Sequence, residues 1–92
     1  MFVFYSVHSP QPGKEELWVQ KMRQFDELIK KQPGVLFVSD IFPDPEKGTL
    51  TGYTFWESED AWKAAWPMLV QEAPSGEWEA KPPEVSMRNS AD

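Results

Sequence analysis

Apolar and polar positions alternate with two different periods along the chain, and the switches between them mark the elements. Residues 2–9 are dense in aromatic and β-branched side chains and stop at Pro10-Gln11-Pro12-Gly13, which predicts a strand closed by a breaker. Over residues 14–31 the apolar side chains fall at Leu17, Trp18, Met22, Phe25, Leu28 and Ile29, one stripe of a helix. Glu15 and Glu16 stand in its first turn and Lys30 and Lys31 in its last, as the helix dipole favours, and Pro33-Gly34 ends it. Residues 35–42 predict a second strand. Residues 43–48 predict a turn with Gly48 at a positive-φ position, and residues 49–56 a third strand, so strands two and three form a hairpin. Ser58 is suited to cap a second helix whose stripe is Ala61, Trp62, Ala65, Trp66 and Leu69, with Pro67 expected to kink or restart it. Residues 72–83 read as a proline-containing loop, 84–88 as a short last strand and 89–92 as a polar tail.

The resulting order, β-α-β-β-α-β, is the ferredoxin-like arrangement of an α+β fold, with a four-stranded antiparallel sheet and strands one and three at its centre. A sheet with one wet face should alternate apolar and polar side chains, and these strands do not. Phe2 and Phe4 oppose Val3, Tyr5 and Val7; Val35, Phe37 and Ile41 oppose Leu36, Val38 and Phe42; Leu50 and Trp56 oppose Tyr53 and Phe55. Both helices of this topology pack on one face, so the other needs a cover. A second copy of the chain about a two-fold axis is the simplest cover, making a homodimeric α/β barrel; the 72–83 loop folding over the face is the alternative.

Composition narrows the function classes. The chain has 92 residues, room for one domain spanning 1–92, and a domain of this size buries only roughly 60–65% of its unfolded surface, so association would help it. A net charge of −6, with acids interleaved among the lysines of the first helix, speaks against a nucleic-acid partner. There are no cysteines and one histidine, so thiolate chemistry is excluded and a protein-bound metal lacks ligands. No Gly-rich loop leads into a helix, no apolar run approaches a membrane span, and the N-terminus lacks a basic leader. The expectation is a cytoplasmic chain with no cofactor, no metal and no membrane partner.

Two stretches carry a family resemblance. Pro33-Gly34-Val35 before strand two, and Phe55-Trp56-Glu57-Ser58-Glu59-Asp60-Ala61-Trp62 across the junction of strand three and helix two, look like recurring stretches of the antibiotic biosynthesis monooxygenase family of dimeric α/β barrels. The resemblance covers roughly residues 1–69. It implies a barrel dimer and one of several activities, among them cofactor-independent oxygenation of quinols and polyketide anthrones, and haem degradation. The haem-degrading type places an Asn on strand one, a Trp at the end of strand three and a His on helix two. Trp56 matches that Trp, but Ser6 stands in place of the Asn and Ala65 in place of the His. Haem degradation is therefore not the activity implied here.

Five residues are candidates for a site, each with a plainer alternative. Trp56 is either a platform for a flat aromatic ligand or filling for the barrel end. His8 has the proton affinity of a general base, or is merely solvated at a strand end. Antiparallel pairing puts His8 and Trp56 about 20 Å apart, so a site shared between them would need the partner chain. Asp40 is a base if held among Leu36, Val38 and Phe42, and simply wet if near the strand end. Ser6, on the same strand face as Phe4 and His8, would orient a substrate oxygen; with no base identified beside it, nucleophilic catalysis has no support. Trp78 is either a lid over a pocket or an anchor into the partner, and Trp62 and Trp66 are core. The leading expectation is a cofactor-independent monooxygenase of a small aromatic, quinol-like or polyketide-like compound. His8 or Asp40 would act as its base and Trp56, Ser6 and Trp78 as its binding surface. The alternative is a non-catalytic ligand-binding or dimerisation module of the same fold.

Overall fold

The computed structural model describes residues 1–73 and 78–91. Its elements are β1 (Phe2–Pro10), α1 (Glu15–Ile29), β2 (Val35–Val38), β3 (Phe42–Asp44), β4 (Thr49–Trp56), α2 (Glu59–Glu72) and β5 (Glu79–Asn89). The sheet runs β2-β4-β1-β5 with every described pairing antiparallel, and the expected first and third strands, β1 and β4, lie at its centre. This is the expected α+β ferredoxin-like order with one difference. Strand two breaks at Ser39-Asp40-Ile41 into β2 and β3, both paired with β4, so the sheet has five strands where four were expected.

The break has a local cause. Ser39 leaves the ladder and holds β4 through its own groups: its N–H donates to the Tyr53 carbonyl at 2.9 Å, and its Oγ accepts from the Tyr53 N–H at 2.9 Å. A register shift between Val35 and Phe37 also sets these two residues opposite Trp56 and Phe55, on opposite faces, where simple alternation had put them together. Helix α2 runs through Pro67 as one element. The ring faces solvent, where water can take the carbonyl bond that a proline denies the preceding turn. Ser58 caps α2 as expected, its Oγ accepting from the Ala61 N–H at 3.1 Å.

The described residues of the loop expected over 72–83 are mostly strand and helix. Helix α2 extends to Glu72 and β5 begins at Glu79, while residues 74–77 of that expectation lie outside the described residues. Pro82 and Pro83 sit in β5, an edge strand, within a register shift that spares them ladder bonds. Asn89, expected in the tail, closes β5, and Ser90 still bonds the Met1 carbonyl at 2.8 Å. No helix among the described residues is long and apolar enough to cross a membrane.

Both helices pack on the face carrying Phe2, Phe4 and Trp56. One buried cluster joins Phe2 and Trp56 to Ile29, Ala65 and Leu69; a second joins Trp18 and Met22 of α1 to Leu50 at the other end of the sheet. The open face carries a run of aromatics: Tyr5 stacks on Tyr53 at 5.3 Å, Phe37 meets Phe55 at 6.0 Å and Phe42 meets Tyr53 at 6.3 Å.

Candidate active site

The space between the two buried clusters is a cavity of about 380 Å³ that runs along the sheet beneath the helices, within the range of small-molecule pockets. It exists because the central register position of the two middle strands holds small residues: Ser6 on β1 faces Gly52 on β4. On either side of that pair the walls are large and aromatic. Phe4 stacks on Trp62 at 5.5 Å, and Trp62 on Trp66 at 5.2 Å. Trp62 and Trp66, expected as core, are only half-buried and line the cavity.

One end of the cavity is polar. Ser6 and His8 are two apart on β1 and so project to the same face. The Ser6 Oγ stands 3.0 Å from His8 Nε2, and His8 Nδ1 stands 2.9 Å from Glu79 Oε1. Glu79 comes from the other end of the chain. Two register shifts between β1 and β5 bring it opposite Pro10, on the His8 face, as bulges do when they re-aim a side chain. Its side chain is 5% exposed and that of His8 18%. An ionised carboxylate only accepts, so Glu79 fixes the proton of a neutral imidazole on Nδ1. The Nε2 lone pair then accepts the Ser6 hydroxyl proton. Hydroxyl, imidazole and carboxylate form one directional chain.

Two buried polar atoms at this end have no hydrogen-bond partner among the described residues: Trp18 Nε1 and Glu79 Oε2. Trp18 meets His8 edge-on at 5.6 Å, and both residues line the cavity. An orphaned buried donor and acceptor are each costly unless a ligand or water completes them. Trp56 differs. Its indole N–H already donates to Thr54 Oγ1 at 3.0 Å, and it is 1% exposed among core residues. It is at once core and the wall of the far end of the cavity. His8 lies opposite Leu50 and Trp56 opposite Phe2, so the expected separation of about 20 Å holds. The single-chain cavity nevertheless reaches both, without the partner that had been expected to be necessary.

Asp26 is a site residue the sequence did not suggest. It lies on α1, lines the cavity, and also lines a surface groove with Arg23, Lys30 and Ser39. Burial pushes its carboxyl up from 3.8 to about 6, with Lys30 opposing and Glu27 adding to the rise. Asp40, by contrast, is exposed in the break between β2 and β3, opens onto that outer groove and does not line the cavity. The apolar neighbours it was to share belong to a continuous strand that does not form. Trp78 does not line the cavity either. It packs edge-on against Trp18 at 6.0 Å with Lys21 Nζ 5.9 Å from its ring centre, and so backs the polar wall. Among the described residues no group of three or more His, Cys, Asp or Glu side chains is placed to hold a metal ion.

Comparison with known proteins gives this architecture a family. Rv0793 from Mycobacterium tuberculosis superposes with a TM-score of 0.82 at 16% identity, covering 99% of this chain and 95% of that one. SnoaB, a cofactor-independent oxygenase from Streptomyces nogalater, superposes with a TM-score of 0.78 at 14% identity, covering 99% and 94%. PA3566 from Pseudomonas aeruginosa gives 0.78 at 12% identity, covering 99% and 94%. At such identities the likeness is one of fold. No curated protein matches the chain. The family model for antibiotic biosynthesis monooxygenases, however, matches residues 1–65, well over half of the sequence. The chain therefore belongs to the antibiotic biosynthesis monooxygenase family.

Proposed function

We propose that this chain is a cofactor-independent monooxygenase of a small, flat phenol, quinol or anthrone-like compound. The observation that carries the proposal is the His8 imidazole, held between Ser6 and the buried Glu79 carboxylate at the polar end of an aromatic-walled cavity. The likeness in fold to SnoaB supports the same reading. A flat ring system would lie against Trp62 and Trp66, with one oxygen taking the free Trp18 N–H and a hydroxyl donating to Glu79 Oε2.

His8 Nε2 then removes the acidic proton, directly or through Ser6, and Glu79 balances the imidazolium that forms. The resulting anion is electron-rich enough to reduce oxygen by itself. Conversion of an anthrone ring CH₂ to C=O, of a phenol to a quinone, or of a quinol to a hydroxyquinone consumes one O₂ and releases one water, with all four electrons coming from the substrate. The protein has only to bind, deprotonate and keep water out. A second copy of the chain on the open sheet face would complete a barrel and seal the back of the sheet.

Oxygen uptake with a panel of quinols and anthrones tests the proposal. Uptake that falls on His8→Ala substitution is the expected result. Quenching of tryptophan fluorescence by a panel member without any oxygen consumed would replace the oxygenase with a non-catalytic binding module.

A further inference from the structure

The geometry points to a second chemistry at the same polar end: Ser6 is a nucleophile for acyl transfer, with His8 as its base and Glu79 as the carboxylate that orients the base. The sequence offered no base beside Ser6. The fold supplies one at 3.0 Å, and supplies Glu79 at 2.9 Å behind it from 71 residues away. The order hydroxyl, Nε2, Nδ1, carboxylate is that of a Ser-His-acid triad, which recurs on unrelated folds because it is defined by geometry and roles. Such a triad also needs a donor for the developing oxyanion. The Trp18 indole N–H is buried with no partner among the described residues, and Trp18 lines the same cavity.

The substrate class is a small aryl ester. The aromatic walls take the aryl group, and a phenolate leaves readily. Ser6 Oγ bonds to the acyl carbon while its proton passes to His8 Nε2. The ester C–O bond breaks, the phenol leaves with that proton, and an acyl-Ser6 remains. Water, activated by the same imidazole, then releases the carboxylic acid and restores the serine. No electrons change hands, so the proposal does not depend on the oxygenase reading.

The test is run without oxygen, which separates the two activities. The protein is mixed with 4-nitrophenyl acetate, nitrophenol release is followed, and the quenched protein is digested and mapped by mass spectrometry. The expected result is a burst of nitrophenol with the acetyl group on the peptide carrying Ser6. Glu79→Gln should slow the burst by ~100-fold, and Ser6→Ala should abolish both burst and adduct. An acetyl group found only on lysines or on Tyr5, or a protein that stays unmodified, would overturn the proposal. That reading comes from the unsubstituted protein and does not depend on any variant folding.

Discussion

His8 Nδ1 and Glu79 Oε1 meet at 2.9 Å, joining the C-terminal end of strand β1 to the first residue of β5 inside the cavity. The contact makes a prediction separable from packing. Glu79→Gln keeps the shape and can still accept from Nδ1, but it removes the charge that balances an imidazolium. If His8 is the base, kcat in the oxygen-uptake assay should fall by ~100-fold, and KM should rise as well, since the amide NH2 that replaces Oε2 cannot accept the substrate hydroxyl. An unchanged kcat would remove the dyad from the mechanism.

Half of this site was legible in the chain and half was not, for physical reasons. Ser6 and His8 share a face because strand alternation is strict, and that follows from the sequence alone. Glu79 does not. Its position depends on two bulges against β1, and a bulge changes register without altering composition. Asp26 was hidden among the acids and lysines of a helix face that looked solvated. It enters the cavity wall because the aromatic stripe beside it leaves space there. The break that expels Asp40 from a strand rests on one side-chain bond, from the Tyr53 N–H to Ser39 Oγ, which no periodicity records. Helices, the order of elements and the doubly apolar sheet were readable, since each is written in many residues at once.

Asp26 makes the fold less stable as pH rises from about 4 to about 6. Its folded value of about 6 lies above its ordinary 3.8, so the folded chain holds the proton more tightly than the unfolded one. The carboxyl costs nothing below pH 3.8, becomes destabilising as pH rises towards 6, and remains so above. Asp26→Asn should therefore stabilise the fold above pH 6 by roughly 1 kcal/mol, discounted because the carboxyl keeps solvent contact, and change little below pH 4. Urea unfolding of both proteins at pH 4 and pH 7.5 measures it, and an equal difference at the two values would contradict it.

Gly34 joins the two stretches that carry the family resemblance. Its carbonyl accepts from the Glu57 N–H at 2.8 Å, its φ is +85°, and a Cβ built on it would lie 2.6 Å from the Cβ of Ala61. The Pro-Gly turn and the start of α2 are thus in direct contact, closer than any side chain allows. Gly34→Ala combines a left-handed conformation costing about 1–2 kcal/mol with overpacking of a similar size. A loss of about 2–4 kcal/mol in denaturant unfolding is expected. Gly48→Ala, also at positive φ but with nothing within 4 Å, should lose only the first part.

The open sheet face yields the prediction on assembly. Phe37 is 59% exposed and Phe42 54%, and with Tyr5, Tyr53 and Phe55 they form a patch across β1 to β4. On the β5 side, Glu84, Ser86 and Arg88 stand opposite Val7, Tyr5 and Val3. An apolar centre with a polar edge is the build of a protein interface. If a second copy covers it about a two-fold axis, each substitution counts twice. Phe37→Asp would then cost association about 3–6 kcal/mol at about 1.5–3 kcal/mol per buried aromatic, weakening the dimer by roughly 10²- to 10⁴-fold. Light scattering behind a sizing column at low micromolar concentration should show a dimer for the unsubstituted chain and a monomer for the variant. A monomeric unsubstituted chain would mean that something other than a second copy covers the aromatic face.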